Sequence, residues 1–170
     1  MPAAVKIYVR YVDKFNRVVG RFAMYLVVVI MAVLLLSSTA RTFFGMSYLW
    51  TVEIAQFLLA AYYLLGGGYS MQLDSHVRMD LLYSRWSPRQ KAIADIMTSI
   101  FLIFYLVFLL FGGISSTEYA ISHGQKNYSS WAPPLAPIKI IMTFGIALML
   151  LQAIAEFFKD VAKARGVTLA

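Results

Sequence analysis

Long uncharged apolar runs, separated by short clusters of charge, dominate the chain. Arg21 and Arg41 enclose Phe22–Ala40, Glu53 and Asp74 enclose Ile54–Leu73, Asp95 and Glu118 enclose Ile96–Thr117, and Lys139 and Glu156 enclose Ile140–Ala155. Crossing a hydrocarbon core of about 30 Å takes about 20 mostly apolar residues in a helix. Three runs meet that length unaided. The fourth meets it once Leu135–Ile138 and Phe157-Phe158 are added, with Lys139 and Glu156 snorkelling toward the headgroups. The runs are continuously apolar rather than alternating, which argues against a β-barrel. The pattern predicts an all-α membrane protein, a single integral membrane domain over residues 1–170 with spans at about 22–40, 52–73, 94–117 and 137–158.

The segments between the runs carry their own periodicity. Lys6, Arg10, Asp13, Arg17 and Arg21 recur at spacings of three and four, and Val5, Val9, Val12, Asn16 and Val19 follow a neighbouring stripe. This predicts an amphipathic helix over residues 5–19 that lies in the interface or leans on a neighbouring helix. Ser87-Pro88 reads as an N-cap followed by the first helical residue, so the third helix starts ahead of its apolar run. Before it, Val77, Leu81, Leu82 and Trp86 alternate with Arg78, Asp80 and Arg85, the pattern of a short interfacial loop or helix. Pro133, Pro134 and Pro137 predict extended backbone and a fourth span starting at or after Pro137.

Composition narrows the class. Of the 170 residues 61% are hydrophobic and 14% charged, too few polar residues to cover a soluble surface. The first run starts too far in and is too long for a signal-peptide core, so it is expected to remain as a span. The net charge of +7 raises nucleic acid as a partner, but the placement of charge points to the membrane. Lys6, Arg10, Lys14, Arg17, Arg21, Arg78, Arg85, Arg89, Lys91, Lys159, Lys163 and Arg165 fall in the termini and middle loop, against Arg41, Lys126 and Lys139 in the other two loops. The positive-inside rule then places both termini and the middle loop in the cytoplasm, beside anionic lipid headgroups, and no nucleic-acid partner is expected.

Candidate chemistry is sparse. With no cysteine, thiol and iron–sulfur chemistry are excluded. Gly66-Gly67-Gly68 sits inside an apolar run without a following Gly-Lys-Ser/Thr, so it is a helix-packing surface and not a phosphate loop. Gly66 with Ser70, Gly112 with Ser116 and Gly113 with Thr117 are small-xxx-small pairs that let helices approach closely. The topology puts His76 and His123 on opposite sides, where they share neither a metal nor a haem. Asp74, His76 and Asp80 could ligate a metal, but interfacial hydrogen bonding and ion pairing, Asp80 with Arg78 or Arg85, is the preferred reading, and no cofactor is expected. Glu53, three residues after Trp50, is read as solvated, paired (for example with Arg41) or at a subunit contact; buried, it would be a coupling site. No run contains an Asp, Glu, Lys, Arg or His, no repeat relates the two halves, and no pair of Gly/Pro-broken spans marks a transporter's substrate site. The expectation is a scaffold, not an enzyme.

Several motifs in order resemble one family. Trp50-Thr51-Val52-Glu53 opens the second run, Gly66-Gly67-Gly68-Tyr69 is followed by His76-Val77-Arg78-Met79-Asp80, and Trp131-Ala132-Pro133-Pro134-Leu135-Ala136-Pro137-Ile138-Lys139 precedes Leu151-Gln152-Ala153-Ile154. Over essentially its whole length the chain resembles the small membrane subunit of tripartite ATP-independent periplasmic (TRAP) transporters, the DctQ family. Met79 stands where that family often has Val, a mild departure. The resemblance implies a bacterial inner-membrane protein that braces a large, sodium-driven, elevator-type subunit. It also implies transient contact with a periplasmic substrate-binding protein that captures carboxylates or related organic acids. Two rivals remain: an autonomous four-helix transporter working as a dimer, and an anchor subunit of another membrane complex.

Overall fold

A computed structural model of the chain describes residues 3–45, 48–73 and 87–164. Four helices account for nearly all of them: α1 (Ala3–Phe44), α2 (Leu49–Gln72), α3 (Pro88–Ser122) and α4 (Ala136–Ala164). All four are long and apolar enough to cross a membrane. The interfacial pattern expected between Val77 and Trp86 lies outside the described residues.

The helix ends follow local chemistry. Ser87 caps α3 with a reciprocal capping box: its hydroxyl accepts from the Gln90 N–H at 3.4 Å, and Gln90 Oε1 accepts from the Ser87 N–H at 2.9 Å. Pro88 then takes the first position, where its missing N–H costs nothing. At the other end of α3, the Gln125 N–H reaches Ala120 O and the Gly124 N–H reaches Ile121 O. This paired closure needs a left-handed residue, and Gly124 supplies it at φ 55°. The connection onward is held by Asn127 N–H to Pro133 O and Leu135 N–H to Gln125 O, both 2.9 Å. α4 starts at Ala136, one residue before the expected Pro137, because a proline in the first turn removes no intrahelical bond.

The largest departure from expectation is at the N-terminus. The amphipathic segment and the first span form one unbroken helix of 42 residues, about 63 Å long at 1.5 Å per residue. Most of the two faces of residues 5–19 sort as the periodicity predicts, with Val9 and Asn16 buried, Val5, Val12 and Val19 half-buried, and Lys6, Arg10, Arg17 and Arg21 exposed. Asp13, placed with the charged face, is instead half-buried and turns inward to Gln152 and Lys159. The buried stripe leans on neighbouring helices.

Helices adjacent in sequence run antiparallel. Thr51 meets Ser37 at one end of the α1–α2 pair, and Gln72 meets Asp13 at the other. α2 and α4 run parallel, with Leu64 against Gly145 and Gln72 against Gln152. These two central helices contribute to both apolar cores. One core joins Ala23, Ala61, Leu65, Ile138 and Leu148 from α1, α2 and α4; the other joins Met71, Leu106, Ile146 and Ala153 from α2, α3 and α4. α1 and α3 flank them and turn large apolar side chains outward, among them Phe22, Val28, Leu35, Phe101, Phe104 and Phe111. Such continuous apolar faces are liabilities in water and ordinary in lipid.

Candidate functional site

Where α1, α2 and α4 converge, six polar side chains form one network. Gln152 is fully buried at its centre, and both ends of its amide are used. Its Oε1 accepts from Asn16 Nδ2 at 2.9 Å and from Gln72 Nε2 at 3.1 Å; its Nε2 donates to Asp13 Oδ1 and Glu156 Oε1, both at 2.9 Å. Lys159 closes the ring, its ammonium 2.8 Å from Asp13 Oδ2 and 2.9 Å from Glu156 Oε1. Gln72 also donates to the Asp13 carbonyl, and Tyr8 donates to the Leu151 carbonyl, both at 3.0 Å. The Asn16 Oδ1 has no hydrogen-bond partner among the described residues and faces Gly68, where a Cβ would sit 2.8 Å from it. The missing side chain at 68 is what makes room for the buried amide.

This network brings both terminal segments to one end of the bundle: Asp13 bonds Lys159, and the rings of Tyr8 and Phe158 meet edge-on at 6.3 Å. In chemical terms it is a lock. It consists of side-chain amides and one ammonium shared by two carboxylates, and each interhelical bond of this kind contributes about 0.6 kcal/mol, up to about 1.7.

A smaller set of hydroxyls ties the opposite end. Thr117 and Thr143 Oγ1 atoms lie 2.9 Å apart, joining α3 to α4, and Thr51 donates to Ser37 at 2.9 Å, joining α2 to α1. The Lys139 ammonium turns toward the connecting loop, 2.8 Å from Gln125 Oε1 and 3.3 Å from Ser116 O, in the direction expected of a snorkelling lysine. Glu156 instead enters the network described above.

The residues singled out from sequence distribute unevenly. His76, Arg78 and Asp80 lie outside the described residues. Glu53 is buried, 7% exposed, and its Oε2 accepts no hydrogen bond among the described residues. Burial leaves this carboxylate little solvent, and no ion pair to it is seen among the described residues. Trp50 is half-buried beside Tyr48, and Trp131 is exposed on the loop.

The glycine pairs split into two groups. Gly113 packs against Thr143, whose Oγ1 lies 3.2 Å from where a Cβ would stand, so Gly113–Thr117 is spent inside the chain. Gly67 faces the flexible Met149 side chain, and Gly68 faces Asn16. Gly66 and Gly112 have nothing within 4 Å of the Cβ position and face outward. Two further close approaches were not singled out: Gly20 against Tyr69, and Gly145 against the Leu64 backbone, whose carbonyl carbon would lie 2.9 Å from an added Cβ. Lone glycines carry no spacing signal, so nothing in the sequence marked them.

Four apolar helices, a polar lock at one end and outward apolar faces define a multi-pass α-helical membrane protein. Residues 30–163 match the family model described as tripartite ATP-independent periplasmic transporters, DctQ component, and the chain belongs to that family. It is therefore a small TRAP transporter component. No individual curated protein matches it.

Proposed function

We propose that the chain is the small, non-catalytic permease subunit of a sodium-coupled TRAP importer of carboxylates or related organic acids, set in the bacterial inner membrane with both termini cytoplasmic. Its role is to brace the large elevator-type subunit while that subunit's moving domain carries the substrate. One observation supports this most: the bundle's side-chain hydrogen bonds go to helix-to-helix ties at its two ends, while the flanking helices α1 and α3 present apolar surface. Such a body is stiff and membrane-anchored. The twelve cations of the termini and middle loop favour a cytoplasmic position for the end that carries the polar lock. The substrate class and the periplasmic receptor rest on membership of the family.

Co-expression with a large TRAP membrane subunit tests the reading. The tagged chain should retain that subunit in mild detergent, and liposomes holding both, supplied with the periplasmic receptor, should accumulate substrate only under a sodium gradient. Accumulation by liposomes holding this chain alone would overturn it.

Glu53 favours a second reading, that of an autonomous proton-coupled transporter, because its buried Oε2 lacks a partner among the described residues. Glu53→Gln distinguishes the two: coupled transport by the chain itself would collapse, whereas a bracing subunit would keep supporting uptake.

A further inference from the structure

Beyond the two stripes that periodicity predicts, the first part of α1 carries a third. Ile7, Tyr11, Phe15, Val18 and Phe22 follow at spacings of four, four, three and four, and each is more than half exposed. At about 100° per residue they lie roughly opposite the buried Val9 and Asn16. Lys6, Arg10, Lys14, Arg17 and Arg21 fill one flank between the two; all five are exposed, and none makes an ion pair among the described residues. Asp13, the only acid of this segment, turns inward to Lys159, so the outer surface is wholly cationic. The segment precedes residue 30, where the family match begins, and membership of the family does not account for it.

The apolar stripe overruns the hydrocarbon. It continues through Tyr25, Val29 and Leu36 to Phe43. From Ile7 to Phe43 it measures about 54 Å, against about 30 Å for a bilayer's core and about 45 Å for the whole bilayer. The exposed apolar face of α3, from Ile93 to Ile121, measures about 42 Å and fits within that thickness. Stood upright, α1 would carry Ile7, Tyr11 and Phe15 into water. Tilted toward the stripe, it lays them along the acyl boundary with the basic flank at phosphate level, the arrangement of an interfacial amphipathic helix on anionic lipid. We infer that residues 6–22 of α1 bind the surface of an anionic bilayer leaflet, the stripe sinking into the acyl boundary while the five cations meet lipid phosphates. Under the orientation proposed above, that leaflet is the cytoplasmic one. Because α1 is unbroken, and Asp13–Lys159 and Tyr8–Phe158 fasten it to α4, this contact sets the tilt of the bundle.

The chain has no cysteine, so single spin labels can report depth along α1. The full chain carrying Tyr11→Cys, Val18→Cys or Arg17→Cys is placed in vesicles of phosphatidylcholine, alone or mixed equally with phosphatidylglycerol. Collisions of each label with oxygen and with a water-soluble nickel chelate are then compared. In the mixed vesicles the labels replacing Tyr11 and Val18 should meet oxygen several-fold more often than nickel, and the label replacing Arg17 should show the reverse. In phosphatidylcholine alone, the oxygen preference at the first two positions should fall several-fold. Adding Lys6→Gln, Arg10→Gln and Lys14→Gln should produce the same fall in the mixed vesicles; these exposed side chains make no ion pair on which the fold depends. Nickel-accessible labels at Tyr11 and Val18 in the mixed vesicles, or depths indifferent to lipid charge, overturn the inference. So does shielding from both reagents, which would assign the stripe to a second copy or, if it appears only when the large subunit is added, to that subunit. Failure to retain the large subunit would sink the bracing role and leave these depths unaltered.

Discussion

Asp13 and Lys159, 146 residues apart in the chain, are joined by a contact of 2.8 Å that fastens the start of the first helix to the end of the last. About three-quarters of each side chain is buried, and Gln152 shares the Asp13 carboxylate. Removing the ammonium leaves Asp13 and Glu156 facing one another across a single amide. Lys159→Met should therefore lower the stability of the purified chain by about 1–3 kcal/mol, the range for leaving a buried hydrogen-bonding group without its partner. A double-mutant cycle with Asp13→Asn should show a coupling above about 0.5 kcal/mol. Additive losses in thermal melts would mean the pair is incidental.

The glycine contacts predict a ranking. At Gly145 an added methyl meets the Leu64 backbone, which cannot turn aside; at Gly67 it meets the end of the Met149 side chain, which can. Gly145→Ala should destabilise by about 1–3 kcal/mol, as overpacking does, while Gly67→Ala should lie within about 0.5 kcal/mol of wild type. Equal melting temperatures for the two variants would contradict the close α2–α4 approach.

Asn16 and Gly68 are complementary, so their substitutions should not be independent. Gly68→Ala pushes a methyl onto the Asn16 oxygen and should cost about 1–3 kcal/mol. Combining it with Asn16→Ala should recover part of that loss by opening the space. Chemical unfolding in detergent of the two singles and the double would show whether the recovery occurs.

The absence of cysteine makes topology directly measurable. A membrane-impermeant thiol reagent applied to spheroplasts should label Ser130→Cys in the α3–α4 loop. It should reach Ala4→Cys at the start of α1 only after permeabilisation, as both termini in the cytoplasm require. Immediate labelling of Ala4→Cys would reverse the orientation derived from the basic residues.

Four spans, the Ser87 cap, the stripe of residues 5–19 and the family were all legible in the sequence. Each depends on neighbours within a few turns: an uninterrupted apolar run, a Ser-Pro pair, a spacing of three and four, a motif in order. Which small residues face inward, and which polar residues meet, depends on how the helices are rotated and slid against one another, and no local pattern encodes that. Asn16 reads as a blemish in an apolar stripe until α1 is laid against α4, where it becomes level with Leu148 and bonded to Gln152. Gly113 and Gly112 are indistinguishable by type and spacing, yet one abuts Thr143 and the other faces open space. Glu53 follows the same logic, since its burial is a property of the packed helices and not of the residues beside it. Hydrophobic periodicity determines that these helices form and cross a membrane, because water and lipid act on every residue alike. The partners that polar groups find on other helices were decided by tertiary packing alone, since those bonds join atoms up to 146 residues apart.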